Sequence, residues 1–373
     1  MSNSTVNQLS LSTAIGRWSG LGPYYAMFPK EFAFKVVEEY SKPGDAVIDP
    51  FAGRASSVYA AAAMQRSGCG IEINPVGWLY GFVKLKPASK IEVWTRIKNL
   101  GDIAASVEQH KLDILPEFFS ACYSQSVLRY LVAARDALDW KNNLVDATLM
   151  AIILVHLHGQ RENSLSNQMR QGKAMSPDYS IRWWRERQLT PPEIDPVNFL
   201  IKRIEWRYAK GSPNLKNGNM LLGDSTSLIG DLAEKVSSGS QSRFNLLFTS
   251  PPYFGITNYH YDQWLRLWML GGTNRPTWTG EKWRGKFESM PDYRNLLQTV
   301  FQGCAEIMTS TASIYVRTSA RIFTHETTID TLREAFPQKT LKYIKQPFTK
   351  NTQTALFGDK LKKPGEIDII MQC

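Results

Sequence analysis

Thr249-Ser-Pro-Pro-Tyr253 is the segment of this chain best suited to do chemistry. It follows an apolar run, Phe244 to Phe248, that reads as a buried strand. It therefore falls where ligands sit in open α/β sheets, just past the carboxyl ends of the strands. Two consecutive prolines continue neither a helix nor a central strand; they fix φ at both positions, and Pro252 also restricts Pro251. A rigid carbonyl at Pro251 beside the hydroxyl of Ser250 makes a pair of preorganised acceptors, and Tyr253 adds an aromatic face for a planar ring. That pair suits the exocyclic amine of a nucleobase, whose lone pair is delocalised into the ring. Two acceptors drawing on its N–H groups favour a tetrahedral nitrogen and expose the lone pair to an electrophilic methyl, with no covalent intermediate. Ser250, Pro251, Pro252 and Tyr253 are the candidate catalytic residues. A loop whose prolines simply end a strand is the plainer alternative.

A second group, Asp49-Pro-Phe-Ala-Gly-Arg-Ala55, lies between the strand-like Ala46-Val-Ile-Asp-Pro50 and a small-residue helix predicted from Ser56 to Met64. A glycine there lets the backbone pass close to a ligand whose polar groups meet the helix N-terminus. Further along, Glu72 ends the predicted strand Gly68 to Ile73, where a carboxylate can accept bonds from ribose hydroxyls. The same pattern also fits an ordinary strand–turn–helix with helix-capping acids.

The elements that must position these groups alternate in type. Short apolar runs at Met220–Leu222, Phe244–Phe248, Ala312–Val316 and Ile367–Met371 read as further central strands, with helical segments between them. The pattern predicts an α/β fold, a Rossmann-like doubly wound, mostly parallel sheet. Residues 86–217 interrupt it. Phe118, Phe119, Cys122, Tyr123, Val127, Leu128, Leu131, Val132 and Leu138 recur at helical spacing, and Leu144 to Leu157 reads as a mostly buried helix. Residues 159–196 are polar, basic and aperiodic. We expect a catalytic domain of residues 1–85 and 218–373, with a largely helical insertion at 86–217.

Composition narrows the class. The 373 residues carry 44 Lys and Arg against 34 Asp and Glu, a formal charge of +10, with 43% apolar residues for a core. A basic surface gains affinity for polyanions by releasing their counterions, although many basic proteins bind no nucleic acid. Four scattered cysteines form no CxxC pair, so no metal is expected and a cytoplasmic, reduced protein fits. No signal-like segment and no apolar run of membrane length is present, which predicts no membrane association.

Thr249-Ser-Pro-Pro-Tyr253 resembles the catalytic motif, usually numbered IV, of the DNA amino-methyltransferases, and Asp49-Pro-Phe-Ala-Gly53 resembles their cofactor motif I. Phe28-Pro29-Lys30-Glu31, ahead of Tyr40-Ser-Lys-Pro-Gly-Asp45, resembles motif X. Gly70-Ile-Glu-Ile-Asn-Pro75 resembles motif II, and Leu222-Gly-Asp-Ser225 resembles the Gly-Asp segment before motif IV. The resemblance covers about residues 22–85 and 218–320, with a looser match beyond. It implies the class I S-adenosylmethionine-dependent methyltransferase fold and S-adenosyl-L-methionine as cofactor. Cofactor contacts are implied from Phe28, Pro29, Asp49, Pro50, Phe51, Ala52, Gly53, Glu72, Ile73, Asp224 and Ser225. Two departures stand out: Arg54-Ala55 replaces the usual glycine-rich continuation of motif I, and motif IV comes last rather than first. The fold survives the second if Gly53 and Ser250 share one edge of the sheet.

Serine at the start of motif IV resembles enzymes that methylate N4 of cytosine, whereas aspartate or asparagine there is more typical of N6-adenine enzymes. The resemblance implies a site-specific enzyme on double-stranded DNA that flips its target from the stack. A cognate restriction endonuclease is a partner this reading leaves open. The insertion is expected to read sequence. Arg161, Asn163, Ser166, Asn167, Gln168, Arg170 and Lys173 can pair with bases and phosphates. Arg182, Trp183, Trp184, Arg185 and Arg187 interleave rings with guanidinium forks. Burial of the Trp pair, and a solvated polar loop, are the plainer readings. His260 could serve as a general base, though loss of the amine proton to water is simpler. The basic stretch Lys339 to Lys363 reads as a phosphate-facing strip or a solvated lysine face. An RNA methyltransferase or a catalytically dead DNA-binding relative are the competing functions; a dehydrogenase leaves the Ser-Pro-Pro-Tyr loop without a purpose.

Overall fold

The computed structural model describes residues 3–23, 28–255, 259–276, 289–346 and 365–373. Helices α1 (Asn3–Gln8), α2 (Ala14–Ser19) and α3 (Lys30–Tyr40) lead into β1 (Ala46–Asp49), α4 (Ser56–Ala63), β2 (Ser67–Glu72) and α5 (Pro75–Leu85). A helical stretch follows: α6 (Lys90–Ala105), α7 (Gln109–Asp113), α8 (Glu117–Cys122), α9 (Gln125–Ala137), α10 (Leu144–His156), α11 (Pro177–Glu186) and α12 (Pro196–Tyr208). Then come β3 (Gly218–Leu222), α13 (Ser225–Ser237), β4 (Phe244–Thr249), α14 (Tyr259–Asp262) and α15 (Trp264–Met269). The last elements are α16 (Met290–Ile307), β5 (Met308–Ser319), α17 (Ile322–Ala335), β6 (Thr340–Gln346) and β7 (Glu366–Gln372).

The strands form one seven-stranded sheet in the order β3-β2-β1-β4-β5-β7-β6. The first five pair in parallel, and β7 runs antiparallel between β5 and β6. This is the expected Rossmann-like, doubly wound, mostly parallel sheet. The chain steps outward from β1 through β2 to β3 and then returns to the other side of β1 for β4. The strand order therefore reverses between β1 and β4, and the crevice at such a reversal is where open sheets of this kind hold ligands.

Alternation along the strands divides the core in two. Val47, Phe248, Tyr315 and Ile370 point to the face covered by α3, α4 and α5, while Ile48, Leu247, Ile314, Ile369 and Met371 point to α13, α16 and α17. Helix ends follow local chemistry. Asn74 accepts from Val76 N at 3.0 Å with Pro75 at the first helical position, and Asp195 caps α12 in the same way ahead of Pro196. The helical stretch has no core of its own. Helix α10 is buried on nearly every side, with Asp146 paired to Arg96, and its apolar side chains join those of α4, α5 and α9 in one cluster.

One expectation needs correction. The run at β3 is an edge strand with only Met220 buried, not a central one. Part of the basic stretch, Thr340–Gln346, is the strand β6, mostly exposed at the other edge, where Lys342 and Lys345 discourage pairing with another chain. Residues 347–363 of that stretch lie outside the described residues.

Because the insertion and the sheet share a core, they should unfold together. Ile153→Ala, at a fully buried α10 position, should lower stability by about 2–5 kcal/mol and shift one cooperative transition followed by circular dichroism and tryptophan fluorescence. Two separated transitions would show that the insertion folds alone.

Candidate active site

Asp49 ends β1 and Thr249 ends the adjacent β4, in a register that pairs Val47 with Leu246 and Ile48 with Leu247. Their side chains meet: Thr249 Oγ1 donates to Asp49 Oδ1 at 2.6 Å. The same Oδ1 accepts from Phe51 N at 3.1 Å, and Oδ2 accepts from the Ser57 hydroxyl at the start of α4. A buried carboxylate so engaged is a clamp. It ties the turn after β1 to the first residue of the Thr-Ser-Pro-Pro-Tyr segment, and it puts Gly53 and Ser250 on one edge of the sheet. Burial pushes its pKa up to about 6 against the pull of those three donors.

The turn itself, Pro50 to Ala55, is held from below. Ala52 N donates to Ile71 O at 3.0 Å, and Ser225 at the head of α13 donates its hydroxyl to Pro50 O. Glu72 closes the other side: its Oε2 accepts from Gly53 N at 2.6 Å and its Oε1 from Asn74 N at 2.8 Å. Burial raises its pKa to about 7. Gly53 has φ of 53°, and a Cβ on Gly77 of α5 would stand 2.8 Å from the Gly53 carbonyl oxygen, so the two backbones touch. Ala55 adopts φ of 61°, the left-handed conformation for which glycine is the natural choice, and Arg54 turns inward to donate to Gly22 O at 2.9 Å. The departure from a glycine-rich motif is therefore accommodated by a buried arginine and one strained alanine.

The other expected cofactor residues are distributed around this turn. Phe28 is buried and stacks on Phe248 of β4, centroids 4.7 Å apart, while Pro29 is exposed at the start of α3. Phe51 and Ile73 are half-buried. Asp224 caps α13, accepting from Thr226 N at 3.0 Å and Thr226 Oγ1 at 2.8 Å. Loops after β1, β2 and β3 are thus bonded into one rim, since Gly223 N also donates to Glu72 O at 3.0 Å.

Past Thr249, Ser250, Pro252 and Tyr253 are half-buried and Pro251 is buried. Ser250 Oγ donates to the Tyr253 hydroxyl at 3.5 Å, which donates in turn to Glu366 Oε1 at 3.1 Å. Glu366 faces Arg317 at 3.4 Å, and Arg317 forms a bidentate pair with buried Asp368 at 2.6 and 2.8 Å. Phe254 packs on Phe323 of α17. Sequence reasoning gave no role to Thr249, Arg317, Glu366 or Asp368. An arginine inside the apolar β5 run, and acids two residues apart on β7, were the signals. The side chain of His260 lies outside the described residues.

The residues expected to meet DNA divide by exposure. Arg170 and Lys173 are exposed on the loop after α10, and Lys173 pairs with Asp262 at 2.6 Å. Arg161 is half-buried and donates to Thr190 O, and exposed Asn163 accepts from Arg203 at 3.5 Å. On α11, Arg182 is exposed and Arg187 lies 4.4 Å over the half-buried Trp183 ring. Ser166, Asn167 and Trp184 are interior. Asn167 donates to Ala121 O and Leu189 O, and Trp184 donates to Gln168 O at 2.7 Å. The loop is stitched to α15, just beyond the Ser-Pro-Pro-Tyr segment: fully buried Arg266 donates to Leu154 O, Gln171 O and Gln263 Oε1. Among the described residues, no cluster of three His, Cys, Asp or Glu could hold a metal ion, and no helix is long and apolar enough to cross a membrane.

Comparison with known proteins adds one partial match. A family model described as DNA methylase, N6_N4_Mtase, matches residues 3–76, which include Asp49, Gly53 and Glu72 and stop well before Ser250. No curated protein sequence matches the chain. Among solved structures, an rRNA methyltransferase, aviRa from Streptomyces viridochromogenes, aligns at 11% identity and a TM-score of 0.35, over 98% of this chain and 92% of its own. A protein from Streptococcus mutans described as a candidate SAM-dependent methyltransferase aligns at 10% identity and a TM-score of 0.35, over 92% of this chain and 49% of its own. This chain thus spans about half the length of the latter. Overlap of this size bears on none of the residues above.

The Asp49 clamp makes a pH prediction. Its folded pKa, about 6, exceeds the ordinary 3.8, so the folded protein holds the proton more tightly. Stability from this group is full below pH 4 and falls as pH rises to about 6. Asp49→Asn keeps an acceptor for Thr249 and Phe51 and removes the charge. Urea titrations of the cofactor-free proteins should show the variant gaining on the parent between pH 4 and 7, by up to about 3 kcal/mol. A difference independent of pH would contradict the clamp's ionisation.

Proposed function

We propose that this protein is an S-adenosyl-L-methionine-dependent methyltransferase acting on an exocyclic amine in double-stranded DNA, with N4 of cytosine as the first choice. The observation that carries the reading is the Thr249–Asp49 hydrogen bond. It joins the Gly53 turn to the Ser-Pro-Pro-Tyr loop at the point where the strand order reverses, so a donor on one loop reaches an acceptor on the other. The partial DNA methylase match over residues 3–76 supports the cofactor half of the site.

The residues present fit the cofactor. A turn with a glycine at φ of 53°, backed by Gly77 with no room for a Cβ, leaves backbone open to a ligand. Glu72 at the end of β2 stands where a ribose is accepted, its two oxygens each retaining a free lone pair beyond the bonds from Gly53 and Asn74. Asp224, Ile73 and Phe51 would border the adenine side, and Phe28 and Pro29 the methionine side. When bound, S-adenosyl-L-methionine supplies a methyl group on a sulfonium, ready for displacement by a nitrogen nucleophile.

The chain's own residues prepare that nitrogen. The Ser250 hydroxyl and the Pro251 carbonyl accept from the two N–H groups of the extruded base, localising its lone pair. Tyr253, its hydroxyl held by Glu366, offers its ring to the base, and the Arg317–Asp368 pair keeps Glu366 in place. Arg161, Asn163, Arg170, Lys173, Arg182, Trp183 and Arg187 are the groups we assign to DNA contact. The insertion at 86–217 serves as the target-recognition region.

Ser250→Ala should retain cofactor affinity and lose at least about a hundredfold in methyl transfer, as expected for one preorganised acceptor. Mass spectrometry of nucleosides from treated DNA should find N4-methyldeoxycytidine; N6-methyldeoxyadenosine would assign the base differently, and undiminished transfer by the variant would remove Ser250 from the mechanism. If ionised Glu72 accepts the ribose, cofactor affinity should fall as pH drops through about 7, the value to which burial raises this group. Calorimetry from pH 6 to 9 that shows a flat profile would exclude the carboxylate as the ribose acceptor.

A further inference from the structure

A cavity of about 200 Å³ opens between α10 and α12, away from the Ser-Pro-Pro-Tyr loop. Its walls include Ile152, Val155 and His156 from α10, and Arg203, Trp206 and Arg207 from α12. Three guanidinium groups gather here. Arg207 is nine-tenths buried, donates to Arg17 O and lies 5.1 Å from the Trp206 ring. Arg17 of α2 donates to Trp206 O at 2.6 Å and stands 4.8 Å over the same ring. Arg203 lies 4.6 Å over Phe199. Behind them sit two further buried basic side chains, Arg54 and Lys84, and Lys84 Nζ has no hydrogen-bond partner.

None of these five basic groups forms an ion pair with a carboxylate among the described residues. Glu31 acts on Arg54 only from beyond ion-pair range. Buried charges without counterions are expensive, and like charges repel, so the cluster favours an anion beside it. Burial and mutual repulsion lower the pKa values of Arg54 and Arg207 to about 10, and they hold Lys84 well below its ordinary range. At neutral pH the two arginines still carry their charge. His156, held at about 3 by burial and by Arg203, is neutral there and adds none.

We propose that this pocket holds a phosphate of the nucleic-acid backbone, gripped by Arg203 and Arg207 and flanked by the Trp206 indole. The fork geometry of guanidinium suits phosphate oxygens, and the apolar wall of Ile152 and Val155 suits the attached sugar. Position favours the backbone over a free ion. Arg203 bonds Asn163 of the loop that is stitched to α15 beside the Ser-Pro-Pro-Tyr segment, so a strand crossing that loop passes the pocket. The proposal rests on a nucleic-acid substrate.

The test uses the full chain with Arg203→Gln and Arg17→Gln, both at partly exposed positions, with circular dichroism to check that each variant is folded. Fluorescence anisotropy measures duplex binding across a salt series, and thermal shift with inorganic pyrophosphate measures a free-anion response. The parent should bind duplex, and Arg203→Gln should reduce the slope of log affinity against log salt by about one, with cofactor affinity unchanged. Parent binding with an unaltered slope in both variants overturns the phosphate site and leaves the proposed function standing. No duplex binding by the parent, with or without cofactor, overturns both. Stabilisation by pyrophosphate that Arg203→Gln abolishes, with the duplex slope unaltered, assigns the pocket to a free anion and overturns the backbone assignment.

Discussion

A single hydrogen bond, from the Thr249 hydroxyl to the Asp49 carboxylate, sets the distance between the two loops that matter most. Parallel strands fix only the direction and spacing of neighbouring chains. Loops that leave their carboxyl ends are free to diverge unless a side chain restrains them. Here the restraint is a carboxylate removed from water, which persists because three donors surround it. Everything downstream inherits its geometry. The Gly53 turn is pinned at one end by Asp49 and at the other by Glu72, and the Ser-Pro-Pro-Tyr segment leaves β4 from a residue already fixed. A rigid diproline is useful only if its point of departure is rigid as well.

The same economy of anchoring links the helical stretch to the sheet edge that carries the Ser-Pro-Pro-Tyr segment. Arg266, fully buried on α15, donates to the Leu154 carbonyl of α10, to the Gln171 carbonyl of the loop that follows and to Gln263. Lys173 and Asp262 add a partly buried ion pair across the same seam. A loop that would otherwise be a long polar excursion is therefore part of the wall beside the Ser-Pro-Pro-Tyr segment. Its interior residues, Ser166 and Asn167, act as internal scaffolding, and its exposed ones, Arg170 among them, are presented by that scaffolding.

The periodicity of apolar residues was enough to read the sheet, because buried parallel strands are short, apolar runs with little else to confuse them. Strands β1, β2, β4, β5 and β7 lay where such runs occur. β6 did not show itself: an exposed edge strand obeys no burial pattern, and Lys342 and Lys345 made it look like solvated surface. In the site, Gly53 and the diproline announced themselves through the backbone freedom of one and the backbone rigidity of the other. Thr249 stood in the quoted motif, yet its task depends on a partner two hundred positions away, which spacing along the chain does not convey. Arg317, Glu366 and Asp368 were hidden for the same reason, since cross-strand register creates their contacts. The Trp183-Trp184 pair shows the limit from the other side: adjacent and identical, one ring is core and the other half-exposed, because helix geometry sends neighbours in different directions.

The position of β7 has a consequence for how the molecule is assembled. It inserts between β5 and β6, both of which precede it in the chain, so the sheet stands open until this segment arrives. Before that, β6 has no neighbour to pair with and Arg317 has neither of its acidic partners. The hydroxyl of Tyr253 is then without Glu366. The turn around Gly53 is thus built from the first strands, while the bonds behind Tyr253 are completed only when β7 joins the sheet.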